Sequence, residues 1–179
     1  MEGAVVHLTG VERFFDKDEI IVSKTDLKGV ITYANKVFQR VAGYTEAELM
    51  GKAHSIVRHP AMPRCVFKLL WDTLESGNEI FAYVINKARN GDHYWVFAHV
   101  TPSYDDNGTI IGYHSSRRVP ERSAIAAVEP VYKALLAKEA EFENSKEGMA
   151  ASFQMVVDLL TSSGVSYDQF VFSLFETNK

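Results

Sequence analysis

Only one cysteine, Cys65, stands among the 179 residues. No internal disulfide can form and no cysteine cluster can hold a metal, which fits a reducing compartment. Long apolar runs are missing too: nothing approaches the ~20 residues that a bilayer-spanning helix needs. Met1-Glu2-Gly3 carries neither the basic nor the apolar block of a secretory signal. The expected location is therefore the cytoplasm, with no direct membrane insertion. Basic excess is absent as well, since 19 Lys and Arg face 23 Asp and Glu for a net charge of −4. Nothing here favours phosphate backbones, so nucleic acid is not an expected partner.

Catalytic strings are also lacking. The chain has no Gly-x-Ser-x-Gly, no glycine-rich phosphate loop and no His-Glu-x-x-His helix, so neither an enzyme nor a metal site is expected. What the chain does have is apolar bulk, 46% hydrophobic and 12% aromatic residues, enough for a folded core. Its length suits one ordinary domain plus an extension.

Alternation and turn residues predict five strands. Ile20 to Thr25 and Val30 to Ala34 flank the turn Asp26-Leu27-Lys28-Gly29 and read as a hairpin. Asn35 is placed to cap a short helix, and Thr45 with Glu48 forms a capping-box pattern for another. Pro63 suits the first turn of a helix whose Val66, Phe67, Leu70, Trp71 and Leu74 repeat at helical spacing up to Gly77. Two long strands follow, Glu79 to Ala88 and His93 to Tyr104, joined across an Asn-Gly turn, and then a fifth, Thr109 to Arg118. From Ser123 the pattern turns helical. Val128, Val131, Leu135 and Phe142 form one stripe, Met149, Phe153, Val156 and Leu160 a second, and Tyr167, Phe170, Val171 and Leu174 a third. Pro130 requires the first of these helices to start near it or kink there.

The densest polar cluster is the loop His54-Ser55-Ile56-Val57-Arg58-His59-Pro60-Ala61-Met62-Pro63. Arg58 offers a planar fork for phosphate or carboxylate beside the start of a helix. The alternative is that Arg58 bonds local carbonyls while His54 and His59 close the loop. Strand parity puts Ile80, Ala82, Val84 and Asn86 on one face. An inward Asn86 would need a partner, and its amide can read the edge of a planar heterocycle; otherwise it faces water at the strand end. Apolar bulk on both faces of the next strand predicts a sheet covered on both sides, by the short helices and a ligand on one and by a terminal helix or second subunit on the other. A single haem-ligating histidine would leave no spacing signature, so that reading stays open.

In its order of elements and its strings Ile31-Thr32-Tyr33-Ala34-Asn35, Gly43-Tyr44-Thr45, Val57-Arg58-His59-Pro60 and Asn90-Gly91-Asp92-His93-Tyr94-Trp95, the chain resembles a PAS domain, in particular the FAD-binding PAS of bacterial aerotaxis receptors. The resemblance spans about residues 20 to 134. It implies an α+β PAS fold: a five-stranded antiparallel sheet with short helices on one face, here followed by a C-terminal helical tail. The expected division is an N-terminal cap over 1–19, a PAS sensor domain over 20–119 and a helical extension over 120–179. The resemblance further implies FAD held noncovalently and a redox or oxygen signal. The site residues it implies by position are Asn35, His54, Arg58, His59, Trp71 and Asn86, with Phe67 as a cavity wall. Parity adds Arg117, which shares a face of the last strand with Tyr113 and Ser115. A homodimer through the PAS domain and terminal helices is expected, with output to a separate chemoreceptor-like signalling protein. A cofactor-free interaction module is the competing reading.

Overall fold

The computed structural model describes residues 7–175. The first residues of the expected cap, 1–6, and the last of the expected extension, 176–179, lie outside the described residues. Five strands form one sheet: β1 (Ile21–Thr25), β2 (Ile31–Ala34), β3 (Ile80–Lys87), β4 (His93–Tyr104) and β5 (Ile110–Arg118), in the order β2-β1-β5-β4-β3. Every pairing is antiparallel. β2 and β3 are the two opposite edges, so the chain between them has to cross a whole face of the sheet. It does so as α1 (Lys36–Ala42), α2 (Glu46–Leu49), a 3-10 turn (His54–Val57) and α3 (Arg64–Glu75). Three further helices follow the last strand, α4 (Arg122–Ala140), α5 (Ser145–Ser163) and α6 (Tyr167–Ser173).

The local signals operate as the sequence indicates. Thr45 and Glu48 form both halves of a capping box at α2, and Ser166 and Gln169 do the same at α6. Asn35 caps α1 through Phe38 N and does more. Its Oδ1 also accepts from Val22 N at 3.1 Å, and its Nδ2 donates to the Ile20 carbonyl at 2.8 Å, tying the helix to the first strand. Gly91 turns the β3–β4 hairpin with φ 95°, and a Cβ there would sit 1.9 Å from the His7 carbonyl oxygen. That close approach lets the N-terminal segment lie on the hairpin. Asp92 fixes it by accepting from Thr9 Oγ1 at 2.6 Å and from Arg13 Nε at 2.8 Å. Hydrogen bonds from Thr9, Arg13 and Asn90 hold the Asp92 carboxyl down to about 2.

Two tail expectations are corrected. α4 does not start near Pro130; it begins eight residues earlier and runs through it. The proline lacks the N–H that would bond the fourth carbonyl back, and burial of Ile125, Val128, Tyr132 and Leu135 along the same helix outweighs that loss. Phe142 lies beyond the helix, in the connection to α5, with the Lys138 ammonium 5.9 Å from its ring.

The tail covers the outer face of β3 and β4. Tyr132 stacks on Trp95 at 6.4 Å, Phe172 meets Phe81 at 4.9 Å and Phe175 packs edge-on to Phe97 at 4.8 Å. Of the two covers open to that face, it is the chain's own helices that supply it.

Replacing Asn35 with alanine should lower stability by about 1–3 kcal/mol, the loss of a cap plus two half-buried bonds. Urea unfolding measures this, and an unchanged midpoint would show that the tether carries no weight.

Candidate functional site

Beneath the crossing segment lies a cavity of about 340 Å³. It exists because the sheet floor is built from short side chains. The register sets Ser23 opposite Ser115 and Ala98 opposite Arg117, and Val84 and Val100 complete the floor. The roof is α3, which turns Phe67, Leu70, Trp71 and Leu74 downward. The rim is the loop from His54 to Arg58 together with Lys28 and Gly29 of the β1–β2 turn. That turn sits directly on the Trp71 indole, since a Cβ on Gly29 would be 3.1 Å from it. A backbone bridge between Arg58 and Asn86 fastens the loop to β3.

Arg117 dominates the electrostatics. It is 2% exposed, and no residue lining the cavity carries a carboxylate. Its Nη2 donates to Ser23 Oγ at 2.6 Å, and its Cζ lies 4.5 Å from the Phe38 ring centroid. Its Nε is buried without a hydrogen-bond partner. Burial pushes the guanidinium down to about 10, still far above neutral pH. A charged, incompletely satisfied donor thus faces a cavity with no protein anion to meet it.

His54 is fixed by the same group. Its Nε2 is 3.1 Å from Ser23 Oγ and 3.5 Å from Arg117 Nη1. Arginine can only donate, so the Ser23 hydroxyl accepts from Arg117 and gives its own proton to Nε2. The imidazole proton consequently resides on Nδ1. Burial first, and the Arg117 charge second, hold the ring down to about 3, so His54 is neutral.

Arg58 is exposed at the rim and stacks on Phe67, with Cζ 4.1 Å from the ring centroid. Burial and the neighbouring Arg64 lower its pKa. The Asn86 residue is 5% exposed and lines the cavity. Its carboxamide makes no hydrogen bond among the described residues. Trp71 forms part of the wall and meets Tyr113 edge-on at 5.4 Å.

The structure therefore brings together His54, Arg58, Phe67, Trp71, Asn86 and Arg117. Two expected site residues stand apart from this wall. Asn35 is occupied by its cap and tethers. His59 points away, its Nδ1 accepting from Ala61 N at 3.1 Å and its ring 5.8 Å from that of His93. Both support the site from behind, Asn35 by holding α1 and His59 by shaping the loop. Ser23 and Lys28 were not foreseen. Period two along β1 puts Ser23 on the face of Ile21 and Thr25, a signal present in the sequence, whereas Lys28 reaches the rim only through the turn.

Comparison with known proteins gives the class. Residues 31–117 match the family described as the PAS fold. Over 118 residues the chain is 48% identical to the aerotaxis receptor of Escherichia coli (strain K12), covering 66% of this chain and 23% of that one. It is 30% identical over 103 residues to the nitrogen fixation regulatory protein of Klebsiella pneumoniae, covering 58% and 21%. The chain thus spans less than a quarter of the length of these relatives. Among solved structures, the dark state of the blue-light photoreceptor Aureochrome1 LOV superposes with a TM-score of 0.52 at 20% identity, over 68% of this chain and 86% of that one. The PAS domain of a Colwellia psychrerythraea protein gives 0.52 at 19%, over 56% and 86%. Likeness at that identity speaks for the fold. The segment 31–117 has the PAS fold. It is similar in sequence to the aerotaxis receptor and in fold to the Aureochrome1 LOV structure. No helix among the described residues is long and apolar enough to cross a membrane.

The low pKa of His54 has a stability consequence with a definite sign. In the unfolded chain it takes a proton near its ordinary 6.5, but in the folded protein only near about 3. Its contribution is therefore complete above pH 6.5 and is lost as pH falls from there toward about 3. Urea midpoints at pH 7 and pH 4.5 should differ more for the wild type than for His54→Gln, and equal differences would contradict a neutral buried ring.

Proposed function

We propose that the cavity binds FAD noncovalently and that the protein is a cytoplasmic redox or oxygen sensor. The observation that carries this reading is the buried Arg117, with an unpaired Nε, in a cavity that offers no carboxylate. Such a site calls for a ligand bearing acceptor atoms or negative charge. A planar heterocycle suits the apolar walls of Phe67, Leu70, Trp71 and Val84, and the free Asn86 carboxamide suits a ring edge that has both a donor and an acceptor. About 340 Å³ lies at the small end of the ~300–1,000 Å³ usual for ligand pockets. It fits the ring system, with the phosphates outside at the rim, where exposed Arg58 and Lys28 stand.

Bound flavin supplies reversible one- and two-electron chemistry. The chain's residues supply the rest. Arg117 would favour added negative charge in the cavity; the Asn86 carboxamide would hold a ring edge; Trp71 and Phe67 would exclude water. Two similarities support the reading, one in sequence to an aerotaxis receptor and one in fold to a light-oxygen-voltage domain studied with a flavin analogue. The haem reading is disfavoured because the His54 Nε2 lone pair is already taken and His59 does not line the cavity. The cofactor-free reading needs a pocket filled by side chains, and this one is open. On this reading the chain divides into a cap (1–19), a sensor (20–119) and an extension (120–179). Pairing of two copies and output to a separate signalling protein belong to it too.

Purified protein, or protein mixed with FAD, should show the two-peaked flavin absorption, and a preparation that stays colourless would end the reading. Arg58→Ala and Asn86→Ala should each weaken FAD retention about tenfold or more, measured by filtration binding, as expected for losing one charge-assisted or buried hydrogen bond. Arg117→Gln should lower the midpoint potential, by on the order of 60 mV for each tenfold loss of preference for the one-electron-reduced form. A potential that stays put would remove the guanidinium from this role.

A further inference from the structure

One helix separates the cavity from the tail. α3 turns Phe67 and Trp71 to the cavity, while Cys65 and Leu69 join the apolar cluster built by α4, α5 and α6. β3 is two-sided in the same way. Its Asn86 lines the cavity, whereas its Tyr83 carbonyl accepts the Tyr132 hydroxyl of α4 at 2.6 Å.

At the first turn of α3 a single carboxylate oxygen joins three helices. Glu139 Oε1, at the end of α4, accepts from Cys65 N at 3.1 Å. The same oxygen lies 2.9 Å from Ser152 Oγ of α5, whose one proton is shared with the Met149 carbonyl at 3.0 Å. First-turn amides have no partner within their own helix, and Pro63 gives α3 no side-chain cap. Glu139 takes that place from another element, with its negative charge at the positive end of the helix dipole. Gly148 makes the approach possible, because a Cβ there would stand 2.6 Å from the Glu139 carbonyl oxygen. Ser152 is fully buried, so the contact is enclosed on the α5 side.

We propose that Glu139 is a latch through which the state of the cavity controls the docking of α5 and α6, making the tail the output element. This rests on the flavin reading for the identity of the cavity's ligand. Apolar contacts tolerate sliding by fractions of an ångström, but a hydrogen bond already at 3.1 Å does not. A small movement of α3, fed directly by the loop His54 to Pro63, is therefore converted at Glu139 into two arrangements, latched and released. Release uncovers Phe81 and Phe97, the rings that Phe172 and Phe175 now cover.

Hydrogen exchange read by mass spectrometry on the full chain tests this. Glu139→Ala should speed exchange about tenfold or more in the first turn of α3 and across 145–173, with β1 and β5 unchanged as the control for folding. Glu139→Gln, which keeps an acceptor but loses the charge, should fall between. Gly148→Ala should reproduce the released pattern with Glu139 intact. In FAD-loaded wild type, dithionite reduction should change exchange in the same segments, and that change should vanish in Glu139→Ala. Unaltered tail exchange in Glu139→Ala, or a redox response that survives it, overturns the latch. Failure to take up FAD sinks the reading of the cavity alone, and the latch is then decided by the three variants without ligand.

Discussion

A guanidinium can be buried only if its donors find acceptors and its charge finds an opposite, and Arg117 is given less than half of that by the protein. Ser23 accepts one N–H, and the Phe38 ring lies under the charge. The rest of the site is arranged around this shortfall. His54 must be neutral and must carry its proton on Nδ1, because Arg117 is a permanent donor and Ser23, accepting from it, gives its own proton to Nε2. The floor must be short, since Ser23, Ala98 and Ser115 leave the room that larger residues would close. An open, acid-free cavity around a buried cation makes sense as half of a complex.

Topology decides where that cavity lies. With β2 and β3 at opposite edges, the connection has to span the sheet, and a chain of short helices spans it without sealing it. α3 ends up as a shared wall, with the cavity below and the tail beside it. The tail, placed outside the matched residues 31–117, contacts the two elements that form that wall, α3 and β3. Any movement the cavity imposes on them reaches the tail without an intermediary.

Much of this was legible from residue order. Capping residues, the Asn-Gly turn and period-two alternation identify the strands and their faces because those signals act within a few residues. Parity put Asn86 on one face with Ile80, Ala82 and Val84, and Arg117 on one face with Tyr113 and Ser115, and both residues line the cavity. Asn35 and His59 show the limit. Each belongs to a string that resembles a flavin site, yet one is spent on a helix cap and the other turns its ring toward His93. Pro130 shows another: a local breaker lost to burial along α4, a sum over distant partners.

Taken alone, the sequence determined the strands and most helices, the residues that share a strand face and a charge balance unsuited to nucleic acid, all consequences of short-range geometry and composition. Only the tertiary structure decided that Ser23, His54 and Arg117, far apart in the chain, share one hydrogen-bond network. It alone placed Glu139 on the amide of Cys65, 74 positions away. Such contacts depend on which strands become neighbours and on which surfaces remain for the tail to bury, and neither is settled until the whole chain packs.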